Sequence, residues 1–305
     1  MEENKPFLVQ TNHLSVGYTN RTSTNILFEN LNLSLEKGKL VCFMGPNGIG
    51  KSTLIRTLSG LQSPLRGSVS GVSVKNISVV LTDRVEANLS VFEFVSFGRY
   101  PYLPWHIQLT DEDFATIKQC MEQVRISDLR DRKLYELSDG QIQMTAIARA
   151  LAQSTPVLLL DEPTAHLDLN NRVEIMNLLR RLAHDSGKAI LVSTHELDLA
   201  LQTSDWIWLA TRKKTILTGM PEDLVLEGAF DETFQFKGFD LKPGRSFTRQ
   251  RKINRLSYRA KELPTSGRRM HWKEMVTPFS RDRKSTLKFY PKIIHGFFLK
   301  ELRKL

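Results

Sequence analysis

The sequence predicts an α/β fold in which an antiparallel β region leads into a parallel core sheet with crossover helices. Three observations predict it. Residues 7–18 and 26–35 alternate apolar and polar positions at period two, as half-buried antiparallel strands do. Leu40–Met44, Val157–Leu160 and Ile190–Ser193 are short, nearly continuous apolar runs, as expected of strands covered on both faces. Helical periodicity separates these runs at the spacing that parallel strands require.

In chain order, the first two strands end at the Glu36-Lys37-Gly38 turn, which delivers the chain into the buried strand at Leu40–Met44. A helix over 53–61, opened by Ser52 and Thr53, comes next. From about 83 to 153 the periodicity is helical at 91–95, 114–124 and 142–151, interrupted by Pro101 and Pro104. The strand at Val157–Leu160 and the strand at Ile190–Ser193 flank a helix over 172–184. After about residue 241 apolar positions lose their period and Lys and Arg recur every three or four residues, which places a boundary there: residues 1–241 form the folded unit and 242–305 a basic tail.

Composition excludes several function classes. With 305 residues and 41% hydrophobic side chains the chain can build a core, so wholesale disorder is excluded. Apolar runs of about five residues fall far short of the roughly 18 needed to span a bilayer. The amino terminus is charged and has no apolar stretch of the secretory kind, so the chain is expected to stay in the cytosol. Cys42 and Cys120, without metal-ligand spacing, are expected to be reduced thiols. The net charge of +10 suggests an anionic partner until it is divided: residues 1–241 carry 24 Lys and Arg against 29 Asp and Glu, and residues 242–305 carry 19 against 4.

The chemistry begins at Gly45-Pro46-Asn47-Gly48-Ile49-Gly50-Lys51-Ser52, a complete G-x-x-x-x-G-K-S/T placed after a buried strand and before a helix. The glycines let backbone N–H groups converge on phosphate oxygens, and the helix dipole adds positive potential. Lys51 then reaches the β- and γ-phosphates and Ser52 offers a hydroxyl to Mg²⁺. Downstream, Val157–Leu160 runs into Asp161-Glu162-Pro163. A carboxylate at the carboxyl end of a parallel strand lies beside the phosphate loop, so Asp161 suits the metal and Glu162 suits the water attacking the γ-phosphate.

Leu137-Ser138-Asp139-Gly140-Gln141, read as preceding a helix, resembles the signature motif of ABC-type ATPases, usually Leu-Ser-Gly-Gly-Gln. Tyr18 resembles that family's adenine-stacking aromatic, Asp168 after Leu167 its D-loop residue, and His195 at a strand end its switch histidine. The resemblance covers residues 7 to about 225 and implies a P-loop NTPase core with an antiparallel β subdomain and a helical subdomain over about 83–145. It implies that two such subunits pack head to tail. Each ATP would lie between the loop residues Gly45–Thr53 of one subunit and Ser138, Gly140 and Gln141 of the other, with Asp168 nearby. Glu162, Lys51 and His195 would act on the γ-phosphate, His195 by stabilising transition-state charge. Gly98-Arg99-Tyr100-Pro101-Tyr102, Thr164–Met176 and Gly219–Asp223 look like the importer ATPases for iron-siderophore, haem or vitamin B12 complexes. The expected partners are a second ATPase subunit, two permease subunits and, indirectly, a substrate-binding protein, at the cytoplasmic face of the inner membrane.

Three positions depart from the family pattern. Thr82 or Asp83 occupies the place of the Q-loop glutamine, so Thr82 joins Ser52 and Asp161 as a metal-side candidate. Asp139 replaces a signature glycine and is expected to point away from the nucleotide, because a carboxylate aimed at ATP would repel it. Ile142 stands where a polar or basic residue is usual. The tail admits three readings: a solvated extension, an element contacting anionic lipid or a partner, or a divergent or out-of-frame terminus. Rival functions are an importer ATPase for another cargo, such as molybdate or zinc, and a soluble ABC-type ATPase acting on nucleic acid. The tail's aromatic residues are unpatterned, unlike single-strand binders.

Overall fold

The computed structural model describes residues 7–20, 22–82, 87–103 and 108–234. Asp83, Pro104, the boundary near 241 and the tail lie outside them.

Strand β1 (Phe7–Thr19) is the hub of an antiparallel sheet, pairing with β2 (Thr24–Leu31), β3 (Ser34–Glu36) and β5 (Arg66–Gly71). The single strand expected over 26–35 is therefore two. Asn30 turns into the left-handed region at φ 58°, and the ladder to β1 is interrupted between Leu31 and Ser34. Thr11 supports the break, its Oγ1 donating to Leu31 O at 2.9 Å and accepting from Leu33 N at 2.8 Å.

The second sheet has the order β10-β9-β4-β8-β7-β6, comprising β4 (Leu40–Met44), β6 (Ile77–Val80), β7 (Val157–Asp161), β8 (Ala189–Ser193), β9 (Trp206–Ala210) and β10 (Ile216–Gly219). All its pairs are parallel except β10 with β9. Every residue of β4, β7 and β8 is buried, as their apolar runs require. Residues of β4 alternate between two cores. Leu40, Cys42 and Met44 pack with the helical region and α5 (Leu169–Ser186), while Val41 and Phe43 pack with the antiparallel sheet and α1 (Lys51–Leu58). Helix α1 thus begins two residues before the expected 53 and ends three before 61.

The helical region holds α2 (Val91–Ser96), a 3₁₀ turn at Tyr100–Tyr102 that contains Pro101, α3 (Asp111–Gln123) and α4 (Asp139–Ala152), which feeds β7. Among the described residues three further short helices follow: α6 (Leu197–Thr203), α7 (Pro221–Glu227) and α8 (Ala229–Phe234). Strands β5, β6, β9 and β10 were not anticipated. Burial pushes the thiol of Cys42 up to about 12 and that of Cys120 to about 11, so both are protonated at neutral pH.

Gly98-Arg99-Tyr100-Pro101-Tyr102 has a structural account. A Cβ on Gly98 would sit 2.3 Å from Arg149 O and 2.7 Å from the Ala152 Cβ, so only glycine lets this chain segment meet α4. Arg99 Nε donates to Asp113 Oδ1 at 2.7 Å, and its Nη1 donates to Ala152 O at 3.0 Å, tying together the ends of α2, α3 and α4. Both side chains of the ion pair are largely buried, at 12% and 7% exposure. Arg99→Ala is expected to cost about 2–3 kcal/mol in urea unfolding, because it strips a buried carboxylate of its cation. The Thr110 backbone N–H, and then Arg99, hold the Asp113 carboxyl below its ordinary 3.8. That stabilisation is present at neutral pH and is lost as the pH falls through the lowered value, so the difference between wild type and Arg99→Ala should shrink in acid.

Candidate active site

The phosphate loop spans the gap between β4 and α1, and its glycines carry the conformations the motif requires: Gly45, Gly48 and Gly50 have φ of 153°, 74° and 115°. At Gly45 a Cβ would lie 2.8 Å from the Ala210 Cβ and 2.9 Å from Ala210 O, so glycine also lets β9 close against the loop. Helix α1 opens on Gly50 without a side-chain cap and without an acidic residue in its first turn. Its leading N–H groups are left to an outside acceptor.

Lys51, 5% exposed, folds back over the loop: Nζ donates to Gly45 O at 3.0 Å and to Pro46 O at 3.3 Å, and stands 3.8 Å from Glu162 Oε1. Burial holds its pKa below the ordinary lysine value, with the Glu162 and Asp161 carboxylates opposing.

The acidic pair is set by strands β7 and β8. Asp161 ends β7 opposite Ser193 of β8, and its Oδ1 accepts from Ser193 Oγ at 2.6 Å. Ser193 also fixes the next residue, since Glu162 N donates to its Oγ at 2.8 Å and to its carbonyl at 3.1 Å. This holds Glu162 at φ 48°, a left-handed conformation that an ordinary residue avoids without such anchoring. His195 lies two residues past the end of β8, with Nδ1 3.9 Å from Glu162 Oε2 and Nε2 3.4 Å from Glu196 Oε1.

A cavity of about 500 Å³ brings Tyr18, Asn47, Gly48, Gly50, Lys51, Ser52, Thr53, Glu162 and His195 to one surface. Tyr18, with its ring half exposed, shares a 2.7 Å hydrogen bond between its hydroxyl and Thr53 Oγ1. Asn25 and Leu27 of β2 also line this cavity and were missed. Asn25 enters through its register with Tyr18, which the sequence does not print. Gly45, Pro46 and Ile49 complete the loop.

The remaining candidates do not line this cavity. Ser138 caps α4, its Oγ accepting from Gln141 N at 3.3 Å while Gln141 Oε1 accepts from Ser138 N at 3.1 Å. Asp139 to Gln141 thus form the first turn of α4, where the sequence placed them before it. Asp139 is exposed there. A Cβ on Gly140 would sit 2.9 Å from the Asn171 side chain, whose Nδ2 donates to Asp168 Oδ2 at 2.9 Å. Asp168 also caps α5. Ser138, Gly140, Gln141 and Asp168 therefore form a second cluster around two helix starts. Thr82 Oγ1 donates to Asp161 O at 3.2 Å. Ile142 is half-buried against the core of the helical region, which explains an apolar residue there.

Residues 28–165 match the family model described as ABC transporter. The iron(3+)-hydroxamate import ATP-binding protein of Bacillus subtilis is 38% identical over 221 residues, covering 68% of this chain and 80% of that protein. The chain belongs to the ABC transporter ATP-binding family. Two solved ABC structures share its fold. One is a transporter of metal-chelate type in an inward-facing conformation, with TM-score 0.69 and 26% identity over 75% of this chain and 89% of that one. The other is a dimeric bacterial ABC transporter cassette, with TM-score 0.58 and 26% identity over 66% of this chain and 93% of that one. As an ABC ATPase the chain binds and hydrolyses ATP, and it is of the importer type. Among the described residues no helix is long and apolar enough to cross a membrane.

Proposed function

We propose that this ABC ATPase powers import of an iron chelate, haem or cobalamin, working as a pair of cassettes (residues 1–241 of each) bound to two permease subunits at the inner face of the membrane. The observation that carries the catalytic assignment is the approach of Lys51 and His195, each to within 4 Å of a Glu162 carboxylate oxygen, at the mouth of the phosphate loop. The hydroxamate importer and the metal-chelate-type transporter support the cargo class.

In this reading the loop N–H groups and Lys51 seat the β- and γ-phosphates, and Tyr18 stacks on the base. The residues suit Mg²⁺: Ser52 and Asp161 offer one hydroxyl and one carboxylate, hard oxygen donors for a cation that takes its other ligands from phosphate and water. When bound, the metal neutralises charge on the β- and γ-oxygens. Glu162 accepts the proton of the attacking water, and His195 donates to the γ-phosphate. Thr82 contributes by steadying the Asp161 backbone. Because Ser138, Gly140 and Asp168 stand outside the cavity, they serve the ATP of the opposite subunit, so that ATP closes the dimer and hydrolysis reopens it.

Co-expression with a candidate permease and binding protein of the metal-chelate class, followed by reconstitution in vesicles, tests the proposal. ATP-dependent uptake of a labelled ferric hydroxamate, haem or cobalamin is expected. Uptake of molybdate or zinc instead, or copurification without a membrane partner together with nucleic-acid-stimulated hydrolysis, would overturn it.

A further inference from the structure

His195 is held from two sides. Nδ1 faces Glu162 at 3.9 Å, and Nε2 faces Oε1 of the adjacent Glu196 at 3.4 Å. That same Glu196 oxygen accepts a hydrogen bond from Arg172 Nη1. Arg172 extends from the first turns of α5, and its Nε donates to Leu167 O at 2.6 Å, one residue before Asp168. The guanidinium therefore spans two segments, the loop entering α5 and the residue following the histidine.

We propose that Arg172 and Glu196 are positioning residues for hydrolysis, joining the Leu167–Asp168 segment to His195. The inference rests on the assignment of Glu162 and His195 to catalysis. Its physical basis is the shared oxygen. A carboxylate 3.4 Å from the imidazole, left unpaired, would pull the ring toward itself and out of its working position. Paired with Arg172 it becomes a near-neutral brace, fixing the ring while leaving the phosphate side free. The fork geometry explains why arginine serves: one planar group gives an Nη1–H to Glu196 and an Nε–H to a backbone carbonyl from two separate nitrogens in a fixed relation, which a lysine's single rotating ammonium does not provide. An ordinary surface ion pair would link only two side chains and be worth little. Here Arg172 and Glu196 are 30% and 20% exposed, and each makes a second contact inside the site.

The position of Arg172 adds a consequence. Asn171, its neighbour on α5, lies against Gly140 at the start of α4, the surface proposed to meet the second subunit, and donates to the N-cap Asp168. A shift of Leu167 on dimer closure would pass through one side chain to Glu196 and the histidine, so the ring is braced when the opposite subunit is seated.

The test uses the full-length protein and its variants Arg172→Met, Arg172→Lys, Glu196→Gln and Arg172→Met/Glu196→Gln, with Glu162→Gln and His195→Ala as controls. Steady-state hydrolysis across MgATP concentrations should show kcat lowered roughly tenfold or more in Arg172→Met with KM within about twofold, since ring misplacement spares binding. Arg172→Lys should recover part of the loss by restoring the charge. The double variant should be no slower than Arg172→Met, because both residues act through one contact. Wild-type kcat in Arg172→Met and Glu196→Gln, multiplicative losses in the double variant, or a loss confined to KM would overturn the proposal. If Arg172→Met does not fold, as judged by circular dichroism melting, Arg172→Lys and Glu196→Gln decide it on the same criteria. Retained hydrolysis in Glu162→Gln and His195→Ala would instead sink the assignment on which it rests. A wild-type rate in the Arg172 and Glu196 variants with both controls inactive would sink the brace alone.

Discussion

Glu162→Gln is expected to bind MgATP and to lose hydrolysis by roughly 10²- to 10⁴-fold, the range for removing a positioned general base. The amide matches the carboxylate in shape, and the anchoring of residue 162 comes from its own N–H, held by the Ser193 hydroxyl and carbonyl, so the backbone should not move. What is lost is the proton acceptor and one negative neighbour of Lys51. The second change favours ATP, because a carboxylate 3.8 Å from the ammonium competes with phosphate for it. The variant should therefore bind ATP at least as tightly as wild type and accumulate in the ATP-closed dimer. Single-turnover hydrolysis and size-exclusion chromatography with MgATP read the two effects separately. A variant within tenfold of the wild-type rate would move the base elsewhere and with it the reading of the whole cavity.

How much of this site was legible depended on whether a residue's role is fixed locally. The phosphate loop was legible because eight consecutive residues dictate their own backbone, and the acidic pair because an apolar run marks its strand. Ser193 was not legible: its hydroxyl matters only through its register with Asp161, 32 positions away. Asn25 reaches the cavity through a strand pairing, and Arg172 and Glu196 meet across 24 positions. The strands that escaped notice divide the same way. In β5, Gly67, Ser68, Ser70 and Gly71 show no alternation, and the strand exists because β1 supplies its partners. A Cβ at Gly71 would fall 2.2 Å from Leu8 O, so a sequence that looks like a loop is what close pairing demands. Strand β6 has only four residues and borrows its order from β7. The signature segment was recognised but placed just before its helix, because a Ser-x-x-Gln capping box puts the boundary at Ser138 itself.

Lys51→Met is expected to separate stability from function in opposite directions. The ammonium sits at 5% exposure with two carbonyls and a carboxylate around it, yet burial outweighs them and keeps its pKa below the ordinary 10.5. The folded chain therefore binds this proton less tightly than the unfolded chain does. The charge subtracts from stability at every pH below the lowered pKa, and the deficit closes as pH rises toward 10.5. Without nucleotide, the methionine variant should melt no lower than wild type near pH 7, with any advantage fading in alkali. With nucleotide the order should reverse. Wild type gains stability by mass action, about 2.7 kcal/mol at a hundredfold excess of MgATP over Kd. The variant has lost charge-assisted bonds to phosphate worth about 1.5–3 kcal/mol each, so its affinity should fall by one to two orders of magnitude and about half or more of the ligand-induced shift should vanish. Hydrolysis should become undetectable in the same preparation. A variant that keeps the wild-type MgATP shift would mean that the loop N–H groups alone hold the phosphates. One that melts well below wild type without nucleotide would mean that the bonds from Lys51 to Gly45 and Pro46 hold the loop more strongly than burial opposes them. The lysine is thus expected to be kept for its ligand against the interest of the empty fold.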